Sequence, residues 1–255
     1  MEINKLKEKL QQGGKVFGTW SMLPSAGVAN VISQTGLDFI IIDMEHGPLS
    51  FETMENMVRA AESEGCQPII RICDKAESTI LRALEIRSQA IMVPHVSTVD
   101  EAKAVVMASR YAPIGERGLS PYTRVHNYSH KNLSDSLVSA NKNTLVGILV
   151  EGEQGINNLE KIAKVEGIDL IYLGIYDISQ SVGLPGELNH EKVIDMQKRC
   201  VQIIQDSGKA AGSFARDYEY IKLLYENGFQ FIAYLVDCAI LKEGYEQAVT
   251  FFNQL

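Results

Sequence analysis

The sequence predicts an α/β fold of the (β/α)8 TIM-barrel class, and three observations predict it. Eight apolar, β-branched runs recur along the chain, each with an amphipathic helical pattern between it and the next. Most of these runs are continuously apolar rather than alternating, the pattern of parallel strands buried on both faces. The first run leads into Ser21-Met-Leu-Pro24 without G-x-G-x-x-G, which argues against the rival doubly wound sheet. One barrel domain spanning residues 1–255 is the expected organisation.

In order, the chain opens with a charged amphipathic helix, Met1–Leu10, followed by a strand at Val16–Trp20 and a helix over 24–35. The apolar run Asp38–Met44 and the helical pattern 50–64 form the second unit. Gln67–Ile72 with 76–87, and Ala90–Pro94 with 99–110, form the third and fourth. Thr144–Glu151 with 153–165 and Ile168–Gly174 follow. The next helical pattern is 190–207, after a short turn at Gly174–Ser179 that would offer backbone N–H groups to an anion. Lys209–Phe214 with 216–227 and Gln230–Val236 with 238–253 complete eight units. The spacing breaks only at Tyr111–Asn143, a polar stretch rich in Pro, Gly, Ser and His with no apolar strand. A loop of that length in a compact domain is usually functional.

Composition narrows the function. The 255 residues are 45% hydrophobic and 22% charged, enough to bury a sizeable core. A net charge of −8 argues against nucleic-acid binding, which needs a basic face. No apolar run reaches the roughly 18 residues of a membrane span. The start lacks the apolar core of a signal peptide. Cys66, Cys73, Cys200 and Cys238 show no C-x-x-C spacing, so neither disulfides nor a zinc knuckle is expected and a cytoplasmic location fits.

In this fold the chemistry sits at the C-terminal strand ends and the loops that follow. Glu151 and Asp177 lie at successive strand ends one repeat apart. Together they offer carboxylate oxygens to a hard divalent cation, Mg²⁺ or Mn²⁺, with Co²⁺ a further candidate. Either acid alone would more often cap the next helix or pair with a surface base. Arg71 ends the third strand, where it can steady a growing negative charge or form an ion pair with Asp43 or Glu45. His46 is the general-base candidate and His95, at the next-but-one tip, its competitor. G-x-S-x-G is absent, and no lysine stands on a strand tip for Schiff-base chemistry.

At these residues the chain resembles the HpcH/HpaI family of metal-dependent (class II) pyruvate aldolases, nearly end to end. The resemblance is carried by Gly18-Thr-Trp20, by Gly36-Leu-Asp-Phe-Ile-Ile-Ile-Asp-Met-Glu-His46-Gly-Pro48 and by Pro68-Ile-Ile-Arg71. Met92-Val-Pro-His-Val96, Arg110-Tyr-Ala-Pro113 with Gly115-Glu-Arg-Gly118, Val150-Glu151 and Gly174-Ile-Tyr-Asp177-Ile-Ser179 extend it. It implies a barrel of the phosphoenolpyruvate/pyruvate-binding type and reversible cleavage of a 4-hydroxy-2-oxo acid to pyruvate and an aldehyde. It also implies homohexamers built from dimers that exchange the last helix. By the same resemblance Glu151 and Asp177 match the metal ligands, Arg71 the enolate-stabilising arginine and His46 the acid–base histidine. Gly174, Tyr176 and Asp177 match the segment that holds the pyruvate carboxylate, and Trp20 is expected to touch substrate.

Two departures from the family pattern stand out. Gly-Pro-Ala-Asp becomes Gly174-Ile175-Tyr176-Asp177, which places a bulky ring on the pyruvate side. The aspartate partner of the histidine becomes Glu85, one methylene longer, in Glu85-Ile-Arg87-Ser88. The segment Leu119–His126, with Arg124, is expected to set aldehyde specificity. Two other readings remain: an enzyme condensing an enolate with another 2-oxo acid such as oxaloacetate, and a non-catalytic ligand-binding barrel.

Overall fold

The computed structural model describes residues 3–255; Met1 and Glu2 of the expected first helix lie outside the described residues. Eight parallel strands close into a barrel in sequence order, β1 pairing with both β2 and β8. They are β1 (Val16–Ser21), β2 (Phe39–Asp43), β3 (Gln67–Arg71) and β4 (Ala90–Val93). The second half is β5 (Leu145–Val150), β6 (Leu170–Leu173), β7 (Ala210–Ala215) and β8 (Phe231–Val236).

The continuous apolar runs have a direct cause. Phe39, Ile41, Ile69, Met92, Leu149 and Leu170 pack with Phe231 inside the barrel. Their sequence neighbours Ile40, Ile42, Ile70, Ile91, Val93 and Ile148 pack outward against the helices. Both faces of most strands are therefore apolar, at about 1.5–3 kcal/mol for each large side chain buried, with Thr19, Ser21 and Ser213 the buried polar exceptions on β1 and β7. Gly18 is required where the Phe39 ring crosses β1, because a Cβ there would lie 2.4 Å from that ring.

The outer helices are α2 (Ala26–Ser33), α3 (Phe51–Ser63), α4 (Glu77–Glu85), α5 (Val99–Ser109) and α7 (Gly152–Ala163). After β6 come α8 (Ile175–Ser181) and α9 (Glu191–Asp206), then α10 (Tyr218–Glu226) and α11 (Asp237–Phe252). Local chemistry starts several of them. Ser25, Ser50 and Asp217 cap α2, α3 and α10, and Thr98 with Glu101 forms a capping box on α5.

The lower end of the barrel is plugged by α1 (Lys5–Gln11). Leu6 and Leu10 join the interior cluster, and Lys7 Nζ reaches the Thr144 carbonyl at 2.9 Å and Asp169 at 2.9 Å. Arg110 Nη2 meets the same Asp169 at 3.2 Å. Burial pushes the Lys7 ammonium below its ordinary range, and Asp169 opposes that shift. With the bottom closed, the mouth formed by the strand C-termini is the end left for chemistry.

The stretch expected as one long loop is not structureless. It holds a 3₁₀ turn at Arg124–His126 and a helix α6 (Leu133–Asn143). It also follows α5 rather than a strand, so it connects a helix to β5 and belongs to the lower rim. α11 is the other unusual element: of its residues only Asp237 is buried, and Leu241, Tyr245, Val249, Phe251 and Phe252 are exposed.

Candidate active site

The mouth is built on strand ends in register. Asp43 on β2 lies beside Arg71 on β3, and both side chains follow the interior layer of Ile41 and Ile69. Arg71 Nε donates to Asp43 Oδ1 at 2.7 Å, Nη2 donates to the other carboxylate oxygen, and Nη1 lies 3.1 Å from Glu45 Oε2. The guanidinium also stacks over the Trp20 ring, 4.3 Å from its centroid. Trp20 Nε1 in turn donates to the Tyr172 hydroxyl at 3.2 Å. Full burial pushes the Tyr172 phenol well above its ordinary range, so it stays a neutral hydrogen-bonding group. Arg71 is thus fixed on three sides, with its remaining N–H donors available to the mouth.

The ion pair of Arg71 with Asp43 and Glu45, expected as an alternative to an enolate role, is present. The two roles are compatible, since a held guanidinium is a preorganised one. Asp43 also accepts the backbone N–H groups of Glu45 at 3.0 Å and His46 at 3.3 Å, which shapes the turn after β2.

His95 is the residue that sequence reasoning ranked second and the structure places centrally. Its Nε2 lies 2.7 Å from Glu45 Oε1 and its Nδ1 lies 2.8 Å from Glu151 Oε2. Its backbone is left-handed, with φ 56°, and its N–H donates to the same Glu151 oxygen at 3.3 Å. His46 stands exposed on the rim, and its ring makes no hydrogen bond or ion pair among the described residues.

Glu151 is the entire connection between β5 and α7. It occupies the N-cap position, yet its side chain makes no cap bond and turns to His95 instead. Asp177, in the first turn of α8, accepts the Gly152 N–H at 2.8 Å through Oδ1. The N-terminus of α7 therefore ties the two acids together. Burial pushes the Glu151 carboxyl above its ordinary range; Glu45 and Asp177 push the same way and His95 opposes them.

The residues fit a hard divalent cation. No group of three or more His, Cys, Asp or Glu is poised as a metal cage among the described residues. Magnesium, however, takes only one or two carboxylates and keeps its waters. Gly174 leaves open the space beside Asp177, where a Cβ would come within 2.1 Å of Oδ2. Zinc finds no matching His or Cys set.

Glu85 and Arg124 lie elsewhere. Glu85 ends α4, on the lower rim beneath β4, and pairs with Arg117 Nη2 at 3.3 Å. Arg124 donates to the Ile86 carbonyl at 2.8 Å and pairs with Glu62. Within one chain neither reaches the mouth, so Glu85 does not partner His46 there. Tyr176 is exposed beside Asp177.

The profile of the HpcH/HpaI aldolase/citrate lyase family matches residues 16–243. The chain belongs to that family. Among its relatives is the 2-keto-3-deoxy-L-rhamnonate aldolase of Salmonella gallinarum, 29% identical over 259 residues that cover 99% of this chain and 94% of that one. An HpcH/HpaI family protein from Burkholderia cenocepacia superposes with a TM-score of 0.90 at 27% identity, covering 98% of this chain and 99% of that one. The citrate synthase SbnG superposes with a TM-score of 0.86 at 29% identity, covering 98% and 97%. Membership in this family makes the chain a carbon–carbon lyase of the aldolase type.

Proposed function

We propose that this chain reversibly cleaves a 4-hydroxy-2-oxo acid to pyruvate and an aldehyde through a pyruvate enolate. The observation that carries the reading is the fixed guanidinium of Arg71, held by Asp43 and Trp20 on the same rim as the Glu151–Asp177 pair. Glu151 and Asp177 would hold Mg²⁺ or Mn²⁺, which when bound supplies Lewis-acid polarisation of the 2-oxo group. Arg71 presents fixed positive charge to the oxygen that becomes an enolate, an interaction stronger in the transition state than in the ground state. The carboxylate end of the substrate meets the Gly174–Asp177 turn, where the first amides of α8 face the mouth. Trp20 supplies an apolar wall and Tyr176 narrows the rim. His46 and His95 are the two imidazoles available for proton transfer.

Several finer expectations belong to this reading. The exposed apolar residues of α11 support a helix exchanged between copies, in a hexamer of dimers. A second copy would also be the only way for Glu85 or Arg124 to approach a mouth. The described residues contain no helix long and apolar enough to cross a membrane, which accords with a cytoplasmic enzyme.

The test is pyruvate release from 4-hydroxy-2-oxobutanoate by the full chain, with and without Mg²⁺ or Mn²⁺. Metal-dependent release is expected, and its absence with every aldehyde-derived substrate tried would remove the reading. The likeness to a citrate synthase favours a second reading, condensation of an enolate with oxaloacetate. Consumption of oxaloacetate into a tricarboxylic acid product, without aldol cleavage, would select it.

A further inference from the structure

We infer that Asp237, at the joint of β8 and α11, is a positioning residue that fixes Ser21–Leu23 as the wall of the mouth facing the aldehyde half of the substrate. The inference rests on the lyase reading above and deepens it. Asp237 is the one buried residue of α11, yet most of what its carboxylate holds belongs to β1 and the loop that follows. Oδ2 accepts the Ser21 hydroxyl at 2.7 Å and the Leu23 N–H at 3.1 Å. Oδ1 accepts the Met22 N–H at 3.0 Å and the Cys238 N–H at 2.7 Å. A carboxylate taken out of water is tolerated where hydrogen bonds replace its solvent. Here three consecutive residues supply those bonds, so satisfying the carboxylate fixes the segment.

The backbone of β8 is bent to make this contact. Gly18 pairs with Ala233 but Trp20 pairs with Val236, so β8 carries one extra residue against β1. Leu235, inside that bulge, is left-handed with φ 44°. A bulge changes the phase of the inward and outward alternation and re-aims the side chains beyond it. Phe231 and Ala233 face the barrel interior, and after the bulge Val236 does so. Without the extra residue, position 237 would follow 231 and 233 into the interior. With it, Asp237 turns toward the β1 loop.

The clamped segment lies where it can touch substrate. Ser21 directly follows Trp20, the ring over which Arg71 stacks. On its other side the Met22 carbonyl abuts the turn after β2, where a Cβ on Gly47 would lie 3.1 Å from that oxygen. In the closed strand order β1 stands four strands from β5 in either direction, directly across the mouth. The metal and pyruvate half of the substrate belongs to the β5 and β6 tips in the reading above. The β1 tip therefore faces the part beyond C3, which leaves as the aldehyde. Met22 and Leu23 are half-buried apolar residues there. Held from one side by Asp237 and abutting the β2 turn on the other, they form a fixed wall rather than a mobile loop.

The experiment compares two reactions of the full chain with Mg²⁺ or Mn²⁺ present. Exchange of the pyruvate methyl protons with deuterated solvent uses only the pyruvate half of the site. Cleavage of 4-hydroxy-2-oxohexanoate, which releases pyruvate and propanal, uses both halves. Asp237→Asn replaces one accepting oxygen with an amide donor. It is expected to raise the KM of cleavage roughly tenfold with a smaller change in kcat, the mark of lost binding, and to leave exchange within roughly twofold of wild type. Retained exchange also shows that the barrel is folded. Ser21→Ala removes one bond and keeps the carboxylate, so it is expected to raise the same KM by roughly threefold, and it decides the matter if Asp237→Asn does not fold. An unchanged KM for cleavage would overturn the assignment, as would exchange and cleavage falling in step. A wild-type chain that catalyses neither reaction would sink the lyase reading itself, and the assignment with it.

Discussion

Replacing Asp43 with alanine tests how the mouth is held together. Asp43 is 1% exposed and accepts two hydrogen bonds from Arg71, itself 8% exposed, and two more from the backbone of Glu45 and His46. The substitution leaves a buried guanidinium with Glu45 as its one remaining carboxylate and removes the acceptor of two backbone donors. Breaking a buried ion pair from one side costs about 3–5 kcal/mol. For a domain of this size that is roughly 6–20 °C in Tm. Catalysis should fall further than stability implies, because Arg71 loses its fixed position over Trp20; a misplaced oxyanion donor costs about a hundredfold in kcat. Thermal unfolding followed by circular dichroism, with pyruvate release measured well below the melting range, separates the two effects. A variant that melts within about 2 °C of wild type, less than roughly 1 kcal/mol, would show that the pair is not a buried constraint. A variant with normal kcat would show that Arg71 needs no such holding.

Other expectations are independent of that one. Asp169→Ala strands two cations, Lys7 and Arg110, at the barrel plug, so a loss of about 3–5 kcal/mol is expected in denaturant unfolding, with no change in the metal requirement of activity. Glu151→Gln should abolish metal-dependent pyruvate release while leaving the far-ultraviolet spectrum intact; full turnover would remove Glu151 from the metal site. Burial pushes the Tyr111 phenol from 10.0 to about 12, with Glu85 acting the same way and Arg117 against it. The folded state then holds that proton where the unfolded chain has released it, so stability should fall as pH rises from 10 toward 12, less steeply in Tyr111→Phe. Burial likewise raises the thiols of Cys66 and Cys200 to about 11, so both should resist alkylation in the native protein while exposed Cys73 is modified first.

The barrel was legible because most strands are apolar on both faces, a signal that survives without knowledge of the partners. Helices with a strong apolar stripe, such as 50–64 and 190–207, were legible for the same reason. α6 was not, because its sequence Leu133-Ser-Asp-Ser-Leu-Val-Ser-Ala-Asn-Lys-Asn143 buries only Ala140 and Asn143. α8 was read as a turn because its seven residues fall short of two helical periods. The rim of each residue was available in principle. The stretch 111–143 follows a helix, and Glu85 ends one, so both had to lie away from the strand tips. What no local pattern carries is which tips converge. His95 meets Glu45 across 50 residues and Glu151 across 56, and only barrel closure sets those distances.

The connections at the mouth differ in slack, and that has a practical consequence for redirecting the enzyme. β5 passes to α7 through Glu151 alone, β6 to α8 through Gly174 alone, and β8 runs straight into α11. A one-residue joint between two rigid elements has no spare torsions, so an insertion there would rotate a whole helix about its strand. The tips after β2, β3 and β4 are longer, at 44–50, 72–76 and 94–98. A library seeking new aldehydes belongs in the outward positions of those three loops, and the other joints are best left at their present length.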